Sequence, residues 1–210
     1  RWSDGGASVL LFCWVMGTVF FAVFFNWSIN GRTLLPAAPA AAILLWRALD
    51  RSGVSPAKSY AGLAVGLLVS LAVLAADTSL ANSTRLAARY MTDTYREKTG
   101  TLWFQGHWGF QYYMEAGGAK PIDISNKQIW KNEIAVRPDN NTNLHYFKKK
   151  KWDLVEEKTF PLFPLAATMI REPASGGFYS SSWGPAPFVV GISQDESYIV
   201  KSARRNVFSK

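Results

Sequence analysis

Residues 7–25 read ASVLLFCWVMGTVFFAVFF, a run with no charged side chain. About 19 residues of α-helix at a rise of ~1.5 Å each cover the ~30 Å hydrocarbon core of a bilayer. The tract is apolar on every side of the helix it predicts, which marks a membrane span more than the one-sided stripe of a surface helix. It makes a poor signal peptide, because it lacks an Ala-x-Ala exit and ends in Asn26-Trp27-Ser28.

Two more apolar tracts follow. TLLPAAPAAAILLWRAL, residues 33–49, places Pro36 and Pro39 near its first turn, where a missing N–H costs least. It fits a short span or a re-entrant helix. Ser55-Pro56 reads as the N-cap and first position of a third helix over residues 57–76. The link between the second and third tracts carries Arg47, Arg51 and Lys58 against Asp50, and the link between the first and second carries only Arg32. The positive-inside rule puts the former in the cytoplasm, so Arg32 and everything after Asp77 belong outside.

Charge divides the chain at the same place. Of 23 basic and 15 acidic residues, residues 1–76 hold only Arg1, Arg32, Arg47, Arg51, Lys58, Asp4 and Asp50. The net charge of +8 is accounted for by contact with anionic headgroups, and no nucleic-acid partner is inferred. Cys13 is the only cysteine and lies in the first apolar tract, which excludes an internal disulfide and a cysteine-based zinc site. A start at Arg1, with an apolar tract close behind, reads as the C-terminal portion of a longer protein, its other transmembrane helices lying upstream.

Beyond residue 76, Leu80, Thr84, Ala87, Met91 and Tyr95 recur at three- and four-residue steps. They predict an amphipathic juxtamembrane helix over 77–99 that continues the third span. An α/β domain over 100–210 is then predicted from a strand at 101–104, a helix at 108–116 stopped by Gly117-Gly118, and an extended segment at 120–124. Further strands are expected at 133–137, 152–160, 177–183 and 197–201, with a turn at 138–141. The expected architecture is three membrane helices followed by a small extracytoplasmic α/β domain with a βαβ-like start.

WFQGHWGFQYY, residues 103–113, is the most unusual soluble stretch. Gly106 and Gly109 at a helix start fit an anion site, or simply a strand–turn–helix corner; the GxGxxG spacing is absent. His107 fits a general base or ligand, or a packed imidazole; with His145 the only other histidine and no accompanying carboxylate pattern, no metal site is assigned. His107 and Trp108 are retained as acceptor or interface contacts. The Lys148–Lys151 run reads as a solvated turn or a headgroup contact. Arg32 precedes an apolar helix at headgroup depth, where a guanidinium either grips a phosphate in two-point fashion or only anchors the helix.

Asn30-Gly31-Arg32-Thr33-Leu34-Leu35-Pro36-Ala37-Ala38-Pro39 resembles the Arg-Tyr-Leu-Leu-Pro-x-x-Pro segment that opens a late helix in bacterial relatives of the protein O-mannosyltransferases, members of the GT-C glycosyltransferase superfamily. Thr33 stands where that pattern has an aromatic. Gly106–Tyr113 and Gly177-Phe178-Tyr179-Ser180 look like parts of the small C-terminal extracytoplasmic domain of the same group. The resemblance implies a bacterial inner-membrane transferase that takes a sugar from a polyprenyl-phosphate donor to an extracytoplasmic acceptor, with Arg32 near the donor phosphate. It also implies a catalytic acid, usually Asp, in a first outer loop that this chain does not contain. Asp4 lies on the predicted cytoplasmic side and cannot replace it, so the chain alone is expected to be inactive. A non-enzymatic membrane-anchored domain for extracytoplasmic binding or envelope assembly is the other reading.

Overall fold

The computed structural model describes residues 4–26, 30–123, 128–142, 144–170, 174–192 and 195–208. Trp27–Ile29 of the link between the first two apolar tracts, and Ile124 at the end of an expected extended segment, lie outside them. In chain order the helices are α1 (Asp4–Phe24), α2 (Gly31–Leu34), α3 (Ala38–Arg51), α4 (Pro56–Tyr95) and α5 (Trp108–Ala116). The strands are β1 (Leu102–Phe104), β2 (Lys120–Pro121), β3 (Gln128–Ile129), β4 (Ile134–Pro138), β5 (Trp152–Phe160), β6 (Ala166–Ala167), β7 (Met169–Ile170), β8 (Gly176–Gly177), β9 (Val189–Val190), β10 (Glu196–Ala203) and β11 (Val207–Phe208). These form two compact units: Arg1–Ala76 with Pro164–Ile192, and Asp77–Phe163 with Ser193–Lys210.

In the first unit α1 and α3 pack as a hairpin whose buried side chains are small. Ala22, Ala37 and Ala40 lie inside, which lets the two backbones approach closely. Arg47 at the far end of α3 donates from Nη1 to Ser8 Oγ at 3.4 Å. The large side chains Phe12, Phe20, Phe21 and Phe24 point outward. Among the described residues two helices are long and apolar enough to cross a membrane, α1 and α4. A single 3₁₀ turn (Leu35–Ala37) joins α2 to α3. Residues 164–192, expected from sequence to belong with the α/β domain, cluster instead with these helices as the β6–β9 and β7–β8 antiparallel pairs. The strand expected over 177–183 is corrected here. Only Gly176–Gly177 pairs, and the chain then turns, with Trp183 N donating to Ser180 O at 3.1 Å and Ser182 N to Ser180 Oγ at 3.3 Å. A serine run offers the backbone local partners that compete with a ladder.

The second unit carries a mixed five-stranded sheet in the order β2-β1-β4-β10-β5. The β1–α5–β2 segment is a parallel βαβ unit, β1 also runs parallel to β4, and β10 runs antiparallel to both β4 and β5. One face is covered by the last turns of α4 and by α5. Ala87, Ala88, Met91 and Tyr95 meet Phe104, Phe110, Met114, Val136, Tyr198 and Val200 there. The predicted 3.6-residue stripe is what turns this stretch of α4 toward the sheet. On the other face a smaller cluster forms from Ile129, Ala135, Phe147, Trp152, Ala203 and Val207.

Candidate functional site

The corner that carries Arg32 is built by its neighbours. Asn30 caps α2: its Oδ1 accepts from Thr33 N at 3.2 Å, and Thr33 Oγ1 donates to Asn30 O at 2.8 Å. Gly31 lies so close to the 164–192 segment that a Cβ there would stand 2.9 Å from Phe178 Cδ2 and 3.1 Å from Pro187 Cβ. Arg32 N donates to Phe178 O at 3.4 Å. Phe178 is itself held, since its N donates to Thr168 O at 3.0 Å. The main chain of Arg32 is therefore fixed from both sides, while its side chain is exposed. Among the described residues no carboxylate pairs with its guanidinium. Sequence reasoning missed the role of Phe178 as the partner of this corner, since the two stand 146 positions apart.

His107 and Trp108 part company in the second unit. The carboxyl ends of the three parallel strands β1, β2 and β4 open onto a cleft of about 460 Å³. It is lined by the end of β1 and the turn after it (Phe104–His107), by Pro121 and Ile122 at the end of β2, by Leu144 and His145 from the loop after β4, and by Gln111 of α5. His107 faces this space, and no cap bond occupies its side chain. Trp108 is 57% exposed, has φ +58° at the start of α5, and is not a lining residue.

The cleft walls are braced. His107 N donates to Asn141 Oδ1 at 2.9 Å, and Asn141 Nδ2 returns a bond to His107 O at 3.4 Å. His145 N donates to the buried Gln105 Oε1 at 2.6 Å, and Gln105 N to Val136 O at 2.9 Å. Gly106 has φ +110°, and a Cβ there would lie 2.9 Å from Pro138 Cγ, so the turn needs glycine on both counts. Glu196, just behind the β4 turn, is buried and accepts from Asn140 N at 3.3 Å. Burial pushes its carboxyl up to about 8. On the far edge, Tyr90 and Tyr95 both donate their hydroxyls to Glu156. The hydrogen bond to Glu156 foremost, then burial, raises the Tyr90 phenol, whereas burial leads for Tyr95. Among the described residues no group of three or more His, Cys, Asp or Glu side chains converges as a metal site.

No family model, no curated protein and no solved structure matches the chain.

Proposed function

We propose that this chain is the donor-side part of an integral inner-membrane hexosyltransferase of bacterial type, which moves a sugar from a polyprenyl-phosphate carrier to an extracytoplasmic acceptor. On this reading the chain crosses the bilayer three times, with α2, the 3₁₀ turn and α3 acting together as the second crossing. Gly31–Arg51 offers about 21 helical residues, or ~31 Å. Arg47, Arg51 and Lys58 then face the cytoplasm, and Arg32 and the α/β unit the outside.

The observation that carries the reading is the meeting of Gly31-Arg32 with Phe178. Two of the stretches that resemble the transferase group pack on each other and hold one arginine with its guanidinium exposed. The planar fork suits two oxygens of a phosphate. When the bond between sugar and phosphate breaks, negative charge grows on the departing polyprenyl phosphate, and a cation already in position stabilises it without reorganising. The proton transfer that activates the acceptor is assigned to no residue of this chain.

The test is Arg32→Lys in the full-length protein, in membranes supplied with a labelled polyprenyl-phosphate hexose. Lysine keeps the charge and loses the two-point contact, so transfer at limiting donor should fall roughly ten- to hundredfold, the worth of one charge-assisted hydrogen bond. Undiminished transfer would show that Arg32 only anchors its helix. Absence of transfer by the natural protein would favour the non-enzymatic, envelope-binding reading.

A further inference from the structure

The cleft of the α/β unit holds the makings of a second site, separate in its chemistry from the arginine corner. Ligands of open α/β sheets settle outside the carboxyl ends of parallel strands, where the connections from neighbouring strands diverge. The cleft occupies that position: β1 leads away through α5 to β2, β4 leads into the 139–151 loop, and His107 and His145 come one from each connection. Reciprocal bonds between His107 and Asn141, and the bond from His145 N to Gln105, tie the two connections together. A ligand would meet walls already in place, which reduces the ordering cost of binding.

The lining chemistry narrows the class. Two imidazoles and the remaining amide groups of Gln111 present donors and acceptors, while Gln105 is buried with its Oε1 taken by His145 N and Gln111 Nε2 already donates to Glu115 Oε1 at 2.9 Å; Pro121, Ile122 and Leu144 supply apolar surface. Among the described lining residues none is Lys, Arg, Asp or Glu, so neither an anion nor a cation finds a full opposite charge. Hydroxyl groups that both donate and accept, carried on a ring with apolar C–H faces, match such walls. We propose that the cleft is a binding site for a neutral saccharide, with His107 and Gln111 as direct hydrogen-bonding residues. The volume, within the ~300–1,000 Å³ usual for small-molecule sites, accommodates a short oligosaccharide. This inference does not depend on the transferase reading, because binding without transfer would uphold the one and leave the other unsupported.

The experiment uses the whole chain in lipid nanodiscs, with saturation-transfer NMR and calorimetric titration of methyl α-mannoside, maltose and cellobiose, and inorganic phosphate as competitor. At least one sugar should bind saturably, and phosphate should not displace it. His107→Ala and Gln111→Ala should each weaken binding about three- to tenfold, the range expected for one lost hydrogen bond. Leu154→Ala, exposed on β5 and outside the lining, should leave affinity unchanged. Leu144→Trp fills the space without touching the bracing bonds and should abolish binding while the melting temperature holds, which covers the case in which a histidine variant fails to fold. Failure of all three sugars to bind, displacement by phosphate, or full affinity in Leu144→Trp would each overturn the proposal.

Discussion

Leu67 and Leu154 are almost equally exposed, at 60% and 62%, yet they stand in opposite surroundings. Around Leu67 the neighbours Leu63, Val65, Leu68, Leu71 and Leu74 are exposed as well, so this length of α4 is apolar all round. Leu154 lies on β5 beside Asp153, Glu156 and Glu157. The first pattern is stable only in lipid or against other apolar helices, whereas the second, Leu154 with Val155 between charged neighbours, is a short apolar interruption of the kind every water-soluble surface tolerates. The contrast repeats inside one helix, because α4 exposes its leucines over 63–74 and then buries Ala87 and Met91 against a sheet. Exposure measures what the chain leaves uncovered; the pattern of exposed residues tells which solvent covers it.

The hardest blow to this comparison is a paired charge substitution. Leu67→Asp with Leu71→Asp should cost about 5–7 kcal/mol of membrane insertion, at ~2.5–3.5 kcal/mol for each buried aspartate. The protein should shift from the alkali-resistant membrane fraction to the extractable one. Leu154→Asp with Val155→Asp, the latter at the irregularity where the β5–β10 register shifts, should stay membrane-bound and lose no more than about 1 kcal/mol per site, the span of exposed strand substitutions. Equal losses from both pairs would erase the distinction between the two surfaces.

Phenylalanine separates the units next. Phe104 is fully buried, with its ring 6.1 Å from that of Phe110 and nearly perpendicular to it, whereas Phe21 is 59% exposed on α1. Phe104→Ala should destabilise the α/β unit by about 3–5 kcal/mol. Phe21→Ala in lipid should change stability by less than ~1 kcal/mol, because lipid tails replace what the ring touched. Thermal melts in nanodiscs, followed by near-ultraviolet circular dichroism, read both.

Much of this division was legible in the chain. The α5 helix matches its prediction from residue 108 to 116 because glycines punctuate both ends, and β5 matches over 152–160. The first apolar tract announced α1 through its length and lack of charge, and α4 was legible in two parts, an apolar run over 57–76 behind Ser55-Pro56 and a 3.6-residue stripe over 77–99. What stayed hidden depends on pairing at a distance. The ladders that gather residues 164–192 are two residues long, too short for any periodicity, and their strands lack the β-rich runs that announce β5. Arg32 was legible as an exposed cation, but nothing local pointed to Phe178. His107 was singled out alone, and only the parallel register of β1 with β4 brings His145 to the same cleft, 38 positions later.

A third effect distinguishes the units by pH. Glu196 has a carboxyl raised to about 8 by burial, far from its value in an unfolded chain. The folded state therefore holds this proton over a range in which the unfolded state has released it. Its stability is complete below the unfolded value and declines as pH rises toward 8. Glu196→Gln removes the titration while keeping the shape, and should stabilise the α/β unit by on the order of 1–3 kcal/mol at pH 8 and by little at pH 4. Melting temperatures measured across that range should diverge between the two proteins as pH rises. Parallel curves would mean that Glu196 does not carry the proton.

The smallest expected change falls on the arginine corner. Gly31→Ala adds a methyl group 2.9 Å from Phe178 Cδ2 and 3.1 Å from Pro187 Cβ, so the ring must yield by a few tenths of an ångström. Against this, alanine favours the helical conformation of α2 by up to ~1 kcal/mol. The two terms oppose each other, and overall stability should change by less than about 1 kcal/mol. Geometry should suffer more than stability, because the bond from Arg32 N to Phe178 O is already 3.4 Å and moves with the ring. If Arg32 grips the donor phosphate, the KM for donor should rise a few-fold in Gly31→Ala with little change in kcat. Phe178→Leu, which clears space beside residue 31, should return part of that loss when combined with it. A double-mutant cycle isolates the effect, since the two sites are in contact and their coupling should be measurable. If the donor KM in Gly31→Ala stays at the natural value, then the packing of Phe178 on Gly31 supports the fold alone and Arg32 needs no such placement.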